Sequence, residues 1–129
     1  MVKRVLVVDD ESFSRTVIVA TLRVHGFHCI EAKHGDDALR LLNKENFTCD
    51  LILTDLRMPV CNGIEFIKKI QSGKEAPEST KDIPIIVLSA EEGAMIDEAV
   101  ELGISGYFIK KEPVEVLVPK LKQLLGLVD

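Results

Sequence analysis

The chain has 129 residues and a mass of 14.3 kDa, with 47% hydrophobic and 29% charged residues, which suits one ordinary domain with its own core. Lys and Arg number 16 against 21 Asp and Glu, and the net charge of -5 argues against a dedicated nucleic-acid surface, because phosphate binding needs concentrated positive charge. The longest apolar runs, such as Val5 to Val8 and Ile85 to Leu88, fall far short of the ~20 residues a membrane helix needs. Asp9-Asp10-Glu11 comes too early for a signal peptide. Cys29, Cys49 and Cys61 are odd in number and widely spaced, so free thiols in a reducing, cytoplasmic compartment are expected. His25 and His28 have no second ligand pair, so no metal is expected there.

Short β-branched runs alternate with helical stretches along the chain. Lys3 to Val8 is continuously apolar after two basic residues, the pattern of a strand buried on both faces of a parallel sheet. Phe13, Val17, Ala20 and Val24 then fall at helical spacing, with Ser12 as N-cap and Gly26 as the stop. Phe27 to Ala32 reads as a second strand, and Asp36 to Asn43 as a short helix with Ala38, Leu41 and Leu42 facing inward. Leu51 to Thr54 is the third strand, ending at Asp55. Met58-Pro59 and Asn62-Gly63 mark a loop before a helix carrying Ile64, Phe66, Ile67 and Ile70.

Gln71 to Asp82 is polar and reads as a surface connection. Ile85 to Leu88 is the fourth strand, ending at Ser89, and Ala94 to Leu102 is a helix stopped by Gly103. Tyr107 to Ile109 is the fifth strand, ending at Lys110. Val114, Leu117, Val118, Leu121, Leu124 and Leu125 predict a final amphipathic helix, which Pro119 should bend or break. The series predicts an α/β fold with a parallel sheet and right-handed crossovers. The second run is the most polar, which puts it at an edge and fits the order 2-1-3-4-5.

In such a sheet the carboxyl ends of the strands share one rim, and ligands bind where the chain order reverses. That point lies between the first and third strands, so Asp9, Asp10 and Asp55 converge. Two like charges about 4 Å apart repel by roughly 4 kcal/mol at an effective dielectric of 20, so the cluster calls for a cation or raised pKa values. Oxygen ligands at a water-accessible rim suit Mg²⁺. Lys110 adds an ammonium and Ser89 a hydroxyl, completing a cradle for a phosphoryl group. Asp55 stands alone on its strand and is the best nucleophile, giving an acyl phosphate, while Asp9 and Asp10 read as a metal-holding pair. Singly, each has a plainer reading: a helix cap for Asp9-Asp10, a strand boundary for Thr54-Asp55, an N-cap for Ser89, a solvated lysine for Lys110. Their conjunction at successive strand ends is what carries the argument.

The chain resembles the receiver domain of bacterial two-component response regulators over about Lys3 to Leu125. The resemblance rests on Val5-Leu6-Val7-Val8-Asp9-Asp10-Glu11, Leu53-Thr54-Asp55-Leu56-Arg57-Met58-Pro59, Asn62-Gly63, Val87-Leu88-Ser89-Ala90 and Gly106-Tyr107-Phe108-Ile109-Lys110. It implies a flavodoxin-like doubly wound (βα)5 fold, with residues 1–129 forming a single receiver domain. It implies that Asp55 is the phosphoacceptor and that Asp9, Asp10, Asp55 and the Arg57 carbonyl hold Mg²⁺, Asp10 most directly. Ser89 matches the hydroxyl that moves to the phosphoryl oxygen, Lys110 the lysine that pairs with it, and Tyr107 the aromatic switch. The plainer reading of Tyr107 is a half-buried strand aromatic with its hydroxyl in water. The implied donor is a phosphohistidine on a histidine kinase or phosphotransfer protein. Output is expected through a protein target binding the Ala94 to Leu125 face, with dimerisation compatible and no membrane contact.

Two features depart from the family pattern: Lys111 directly after Lys110, and Pro119, which makes the final helix unusual. Lys111 stands where the family has proline, often after a cis bond; a non-proline cis bond costs about 2.5–4 kcal/mol, so a trans bond is expected. Lys111 is then a second candidate for the active lysine, although Tyr107 is at the family's spacing from Lys110. Arg57 and Glu91 lie two residues beyond Asp55 and Ser89. As rim residues they can pair across the mouth and hinder the hydrolysing water, a modest effect for an exposed pair of ~0–1 kcal/mol; two solvated charges are the equal alternative.

Three other functions compete. An aspartyl-nucleophile phosphatase would carry a second aspartate where Arg57 stands. A flavin module would need a phosphate loop where Asp9-Asp10-Glu11 repels one. A receiver-like interaction domain that works without phosphorylation would keep the fold alone.

Overall fold

The computed structural model describes residues 2–127; Met1, Val128 and Asp129 of the expected 1–129 domain lie outside them. Five parallel strands, β1 (Arg4–Val8), β2 (His28–Ala32), β3 (Leu51–Asp55), β4 (Ile85–Ser89) and β5 (Gly106–Ile109), form one sheet in the order 2-1-3-4-5. Helices α1 (Ser12–Val24), α2 (Gly35–Leu42), α3 (Gly63–Ser72), α4 (Ala94–Glu101) and α5 (Leu117–Leu124) connect and cover it. β3 is buried along its whole length and β1 nearly so, whereas β2 and β5 alternate at the edges. Continuous apolarity therefore marks the middle of the sheet and polarity its margins.

Alternate residues of each strand feed two cores. Leu6, Val8, Ile52 and Val87 pack with α2, α3 and α4 on one face. Val5, Val7, Leu53, Leu88 and Phe108 pack with α1 and α5 on the other. The register sets Val8 beside both Ala32 and Thr54, and Asp55 beside Leu88. Residues 9, 55, 89 and 110 are thereby brought to one rim.

Three expectations need correction. In α1 the buried residues are Ile18, Val19 and Leu22, while Phe13, Val17, Ala20 and Val24 face outward, Phe13 at 77% exposure. The helix carries apolar residues on both sides, and the side that includes Ile18 and Leu22 meets the sheet. Its N-cap is Glu11, without a side-chain cap bond, rather than Ser12. Gly26 does end α1: it lies at φ +91°, its N–H donates to the Arg23 carbonyl and that of Phe27 to the Leu22 carbonyl, a Schellman stop.

The connection after α3 is only partly a surface segment. It folds into a 3₁₀ turn over Glu78–Asp82 and buries Ala76 and Thr80. The final helix is split into a 3₁₀ turn at Val114–Val116 and then α5. Pro119 consequently falls in the first turn of α5, where its missing N–H would have no helical partner anyway.

The Lys110–Lys111 bond is trans, and no described peptide bond is cis. All three cysteines are unpaired; burial pushes the Cys29 thiol up to about 11 and Cys49 to about 12, so both stay protonated and unreactive. Among the described residues no helix is long and apolar enough to cross a membrane.

Candidate functional site at the carboxyl rim

β1 ends in Asp9, which is fully buried, and Asp10, which is exposed. β3 ends in Asp55, 8% exposed. Carboxylate oxygens of the three lie within 4.8 Å of one another. Lys110 reaches in from the end of β5, and its Nζ donates to Asp9 Oδ2 and to Asp55 Oδ2, each at 3.1 Å. Its own backbone is fixed by the N–H bond to the Ser89 carbonyl at 2.7 Å. The structure thus selects Lys110 over the exposed Lys111 as the lysine facing the cluster.

The carboxylates are not equivalent. Asp9 is occupied on both oxygens, by Lys110 and by the Glu11 N–H at 3.0 Å. Asp55 accepts from Lys110 and, at 3.4 Å, from the Arg57 N–H. Asp10 has no hydrogen-bond or ion-pair partner among the described residues and faces water. Burial pushes the Asp55 carboxyl up from 3.8 to about 6; Lys110 opposes this and Asp9 adds to it. Burial works against the Lys110 charge, but the two carboxylates outweigh it and raise its pKa.

Three carboxylates against one ammonium leave two excess negative charges at a water-accessible rim. Hard oxygen donors with an open side fit Mg²⁺, which keeps several waters. The donor set therefore suits the implied cation, with Asp10 free to ligate it and Asp55 beside it.

The loop after β3 closes tightly under the site. The Gly63 N–H donates to the Leu56 carbonyl at 2.8 Å, and a Cβ on Gly63 would stand 2.3 Å from the Asp55 carbonyl oxygen. No other residue fits there without moving the Asp55 backbone. Asn62 Oδ1 caps α3 through the Glu65 N–H at 3.0 Å. Val60 lies at φ +67° and is 88% exposed, a strained backbone for a β-branched residue with no packing to offset it.

Ser89 ends β4 with its hydroxyl donating to the Glu91 carbonyl at 2.6 Å. Tyr107 is on β5 beside Val87, with its ring turned outward at 36% exposure. Arg57 and Glu91 line the same small hollow with Ser89 but form no ion pair with each other.

One contact was missed in the sequence. Arg15, in α1, donates from Nη1 to the Asp9 carbonyl at 2.7 Å and from Nε to Glu31 Oε1 at 3.1 Å. A cation near a helix N-terminus opposes the helix dipole, and that local misfit is the signal of a tertiary partner.

An open parallel α/β sheet in the order 2-1-3-4-5, with an acidic rim, a lysine and a hydroxyl at its carboxyl edge, is the flavodoxin-like receiver architecture. Residues 5–122 match the family described as "Response regulator receiver domain", and the chain belongs to it. It is 38% identical over 125 residues to a "Chemotaxis protein CheY homolog" of Campylobacter jejuni, covering 95% of this chain and 92% of that one. It is 36% identical over 128 residues to "Chemotaxis protein CheY1" of Helicobacter pylori, covering 98% and 99%. Among solved structures, chemotaxis protein CheY4 of Vibrio cholerae superposes with a TM-score of 0.83 at 30% identity, covering 97% of this chain and all 100% of that one. The receiver domain of sensor histidine kinase PA1611 from Pseudomonas aeruginosa, which has a magnesium ion coordinated in its active-site cleft, superposes with a TM-score of 0.84 at 27% identity, covering 98% and 99%.

Proposed function

We propose that this chain is a phosphorylation-controlled switch whose phosphoacceptor is Asp55. The supporting observation is the single ammonium of Lys110 held 3.1 Å from both Asp55 and Asp9 inside the acidic cluster. An Asp55 carboxylate oxygen attacks the phosphorus of a phosphohistidine on a histidine kinase or phosphotransfer protein. The new O–P bond forms as the N–P bond breaks, and the imidazole leaves with its electron pair. Bound Mg²⁺ would neutralise phosphoryl charge, and Asp9, Asp10, Asp55 and the Arg57 carbonyl would hold it. Lys110 exchanges a carboxylate oxygen for a phosphoryl oxygen. This promotes transfer to and loss from Asp55 of the chain's own phosphoryl group, without turnover of a separate substrate.

The modification adds about -1.5 to -2 charges and strong acceptors at the rim. Ser89 leaves the Glu91 carbonyl to bond the phosphoryl group, and Tyr107 turns into the space it vacates. The surface from Ala94 to Leu125, where Val100, Tyr107 and Val116 are exposed, carries the change to a cytoplasmic protein target. Arg57 and Glu91, unpaired at the mouth, modulate the acyl phosphate only as solvated charges.

The test is intact mass after incubation with acetyl phosphate and Mg²⁺. One phosphoryl group is expected, absent in Asp55→Asn and absent without Mg²⁺. A wild-type chain left unmodified while a known receiver is labelled would instead support an interaction domain that works without phosphorylation.

A further inference from the structure

We propose that Arg15 is a positioning residue for the cation site, holding the backbone that aims Asp10. The inference deepens the receiver reading and rests on it. Asp10 is exposed and its carboxylate has no partner among the described residues, so its direction is set by its own backbone. The peptide joining Asp9 to Asp10 has its carbonyl held by Arg15 Nη1 at 2.7 Å. On either side, the Asp9 N–H donates to the Ala32 carbonyl at 3.1 Å and the Glu11 N–H to Asp9 Oδ1 at 3.0 Å. Among the described residues, Arg15 is therefore the one side chain from outside residues 9–11 that holds this peptide.

The guanidinium cannot easily swing away. Its Nε is engaged with Glu31 Oε1 at 3.1 Å, at the end of β2, and only 12% of the side chain is exposed. A planar fork with several donors can grip a carbonyl and a carboxylate at once, which an ammonium on a flexible stem does less rigidly. The hydrogen bond to the Asp9 carbonyl is charge-assisted, the stronger kind. Glu31 is the more exposed partner at 41%, and acts as an outer brace on the guanidinium.

Two effects of removing Arg15 have opposite signs. Losing a positive charge near three carboxylates would by itself tighten cation binding. Losing the grip on the Asp9–Asp10 peptide would let Asp10 wander and weaken binding. Partners behind metal ligands commonly set affinity by about ten- to hundredfold, so positioning is expected to win.

The experiment is Mg²⁺ titration by calorimetry on the full chain, with amide exchange of the metal-free protein followed by NMR. Arg15→Ala should weaken Mg²⁺ binding by about tenfold and speed exchange at Glu11 and Asp9, leaving amides in the middle of β1 unchanged. Arg15→Lys should recover part of the affinity, and Glu31→Gln should lose less than Arg15→Ala. Saturating Mg²⁺ should restore most of the phosphorylation rate of Arg15→Ala, a split that simple loss of stability would not produce. Unchanged or tighter Mg²⁺ binding by Arg15→Ala overturns the proposal. A wild-type chain that takes no Mg²⁺ sinks the receiver reading instead. Exchange then decides the role of Arg15: faster rates at Asp9 and Glu11 keep it as a backbone clamp, and unchanged rates end that too.

Discussion

Asp9 and Asp55, at the ends of β1 and β3, are interlocked with Lys110 from the end of β5, whereas the side chains of Ser89 and Tyr107, on β4 and β5, stand apart from that cluster. Asp9 and Asp55 are buried, share Lys110 and sit on central strands. Ser89 bonds only two residues ahead, and Tyr107 points outward. On the proposed function, the charges that would meet a cation and a phosphoryl group are pre-formed, at the cost of burying them together. On the same reading, the side from which a signal would leave is held by contacts that one hydrogen bond can release. A local change in charge then moves the weaker side, because the stronger side has little room to respond.

The comparison breaks most visibly at Lys110. Lys110→Met leaves two buried carboxylates unpaired, and a loss of about 3 kcal/mol is expected in urea unfolding at neutral pH without metal. Added Mg²⁺ should recover part of it. A loss below about 1 kcal/mol would mean that the site is as loosely held as an exposed ion pair.

Protonation of Asp55 gives the next effect. Its folded pKa of about 6 lies above the unfolded 3.8, so the folded state binds more protons between those values. Metal-free stability should therefore fall as pH rises from about 4 to about 6, by about 2–3 kcal/mol relative to Asp55→Asn. A difference between the two proteins that does not vary with pH would contradict this assignment. Phosphorylation should also fade below about pH 6, since the protonated carboxyl is a poor nucleophile.

Val60 offers a smaller test of how firmly the acidic cluster is held. Val60→Asn, which tolerates the left-handed region, should stabilise the chain by about 1 kcal/mol in thermal or urea unfolding. No gain would show that the surrounding loop relaxes around the valine instead of straining it.

The looser side should barely notice a deletion. Ser89→Ala removes the bond to the Glu91 carbonyl and should change stability by less than about 1 kcal/mol. Phosphoryl uptake should persist while binding to the downstream target becomes less responsive to it. A large loss of stability would make the two sides more alike than their contacts indicate.

The strand ends were legible because continuous apolar runs stop abruptly at Asp9, Asp55, Ser89 and Lys110, and parallel pairing sends those stops to one rim. The outward face of α1 was not. Phe13, Val17, Ala20 and Val24 satisfy helical spacing as well as the buried residues do, and only tertiary contact with the sheet distinguishes the faces. Arg57 and Glu91 line one hollow with Ser89, but two exposed side chains gain too little to hold one pairing. Arg15 was overlooked because only its misplaced charge near the start of α1 hinted at a partner, and residue identity names neither the Asp9 carbonyl nor Glu31 as that partner. The split before α5 was signalled by Pro119, although the break falls upstream of it, where the helix can start without the missing donor.

Tyr107 has one further consequence. The chain contains no tryptophan and no other tyrosine. Its ring therefore accounts for all phenolic fluorescence and for the longest-wavelength part of the near-ultraviolet dichroism, the five phenylalanines contributing at shorter wavelength. The molecule carries a built-in optical probe at the point where an inward turn would occur. Stopped-flow emission on unlabelled protein can time that turn against phosphoryl uptake, resolving whether the ring follows the chemistry or samples the inward position beforehand.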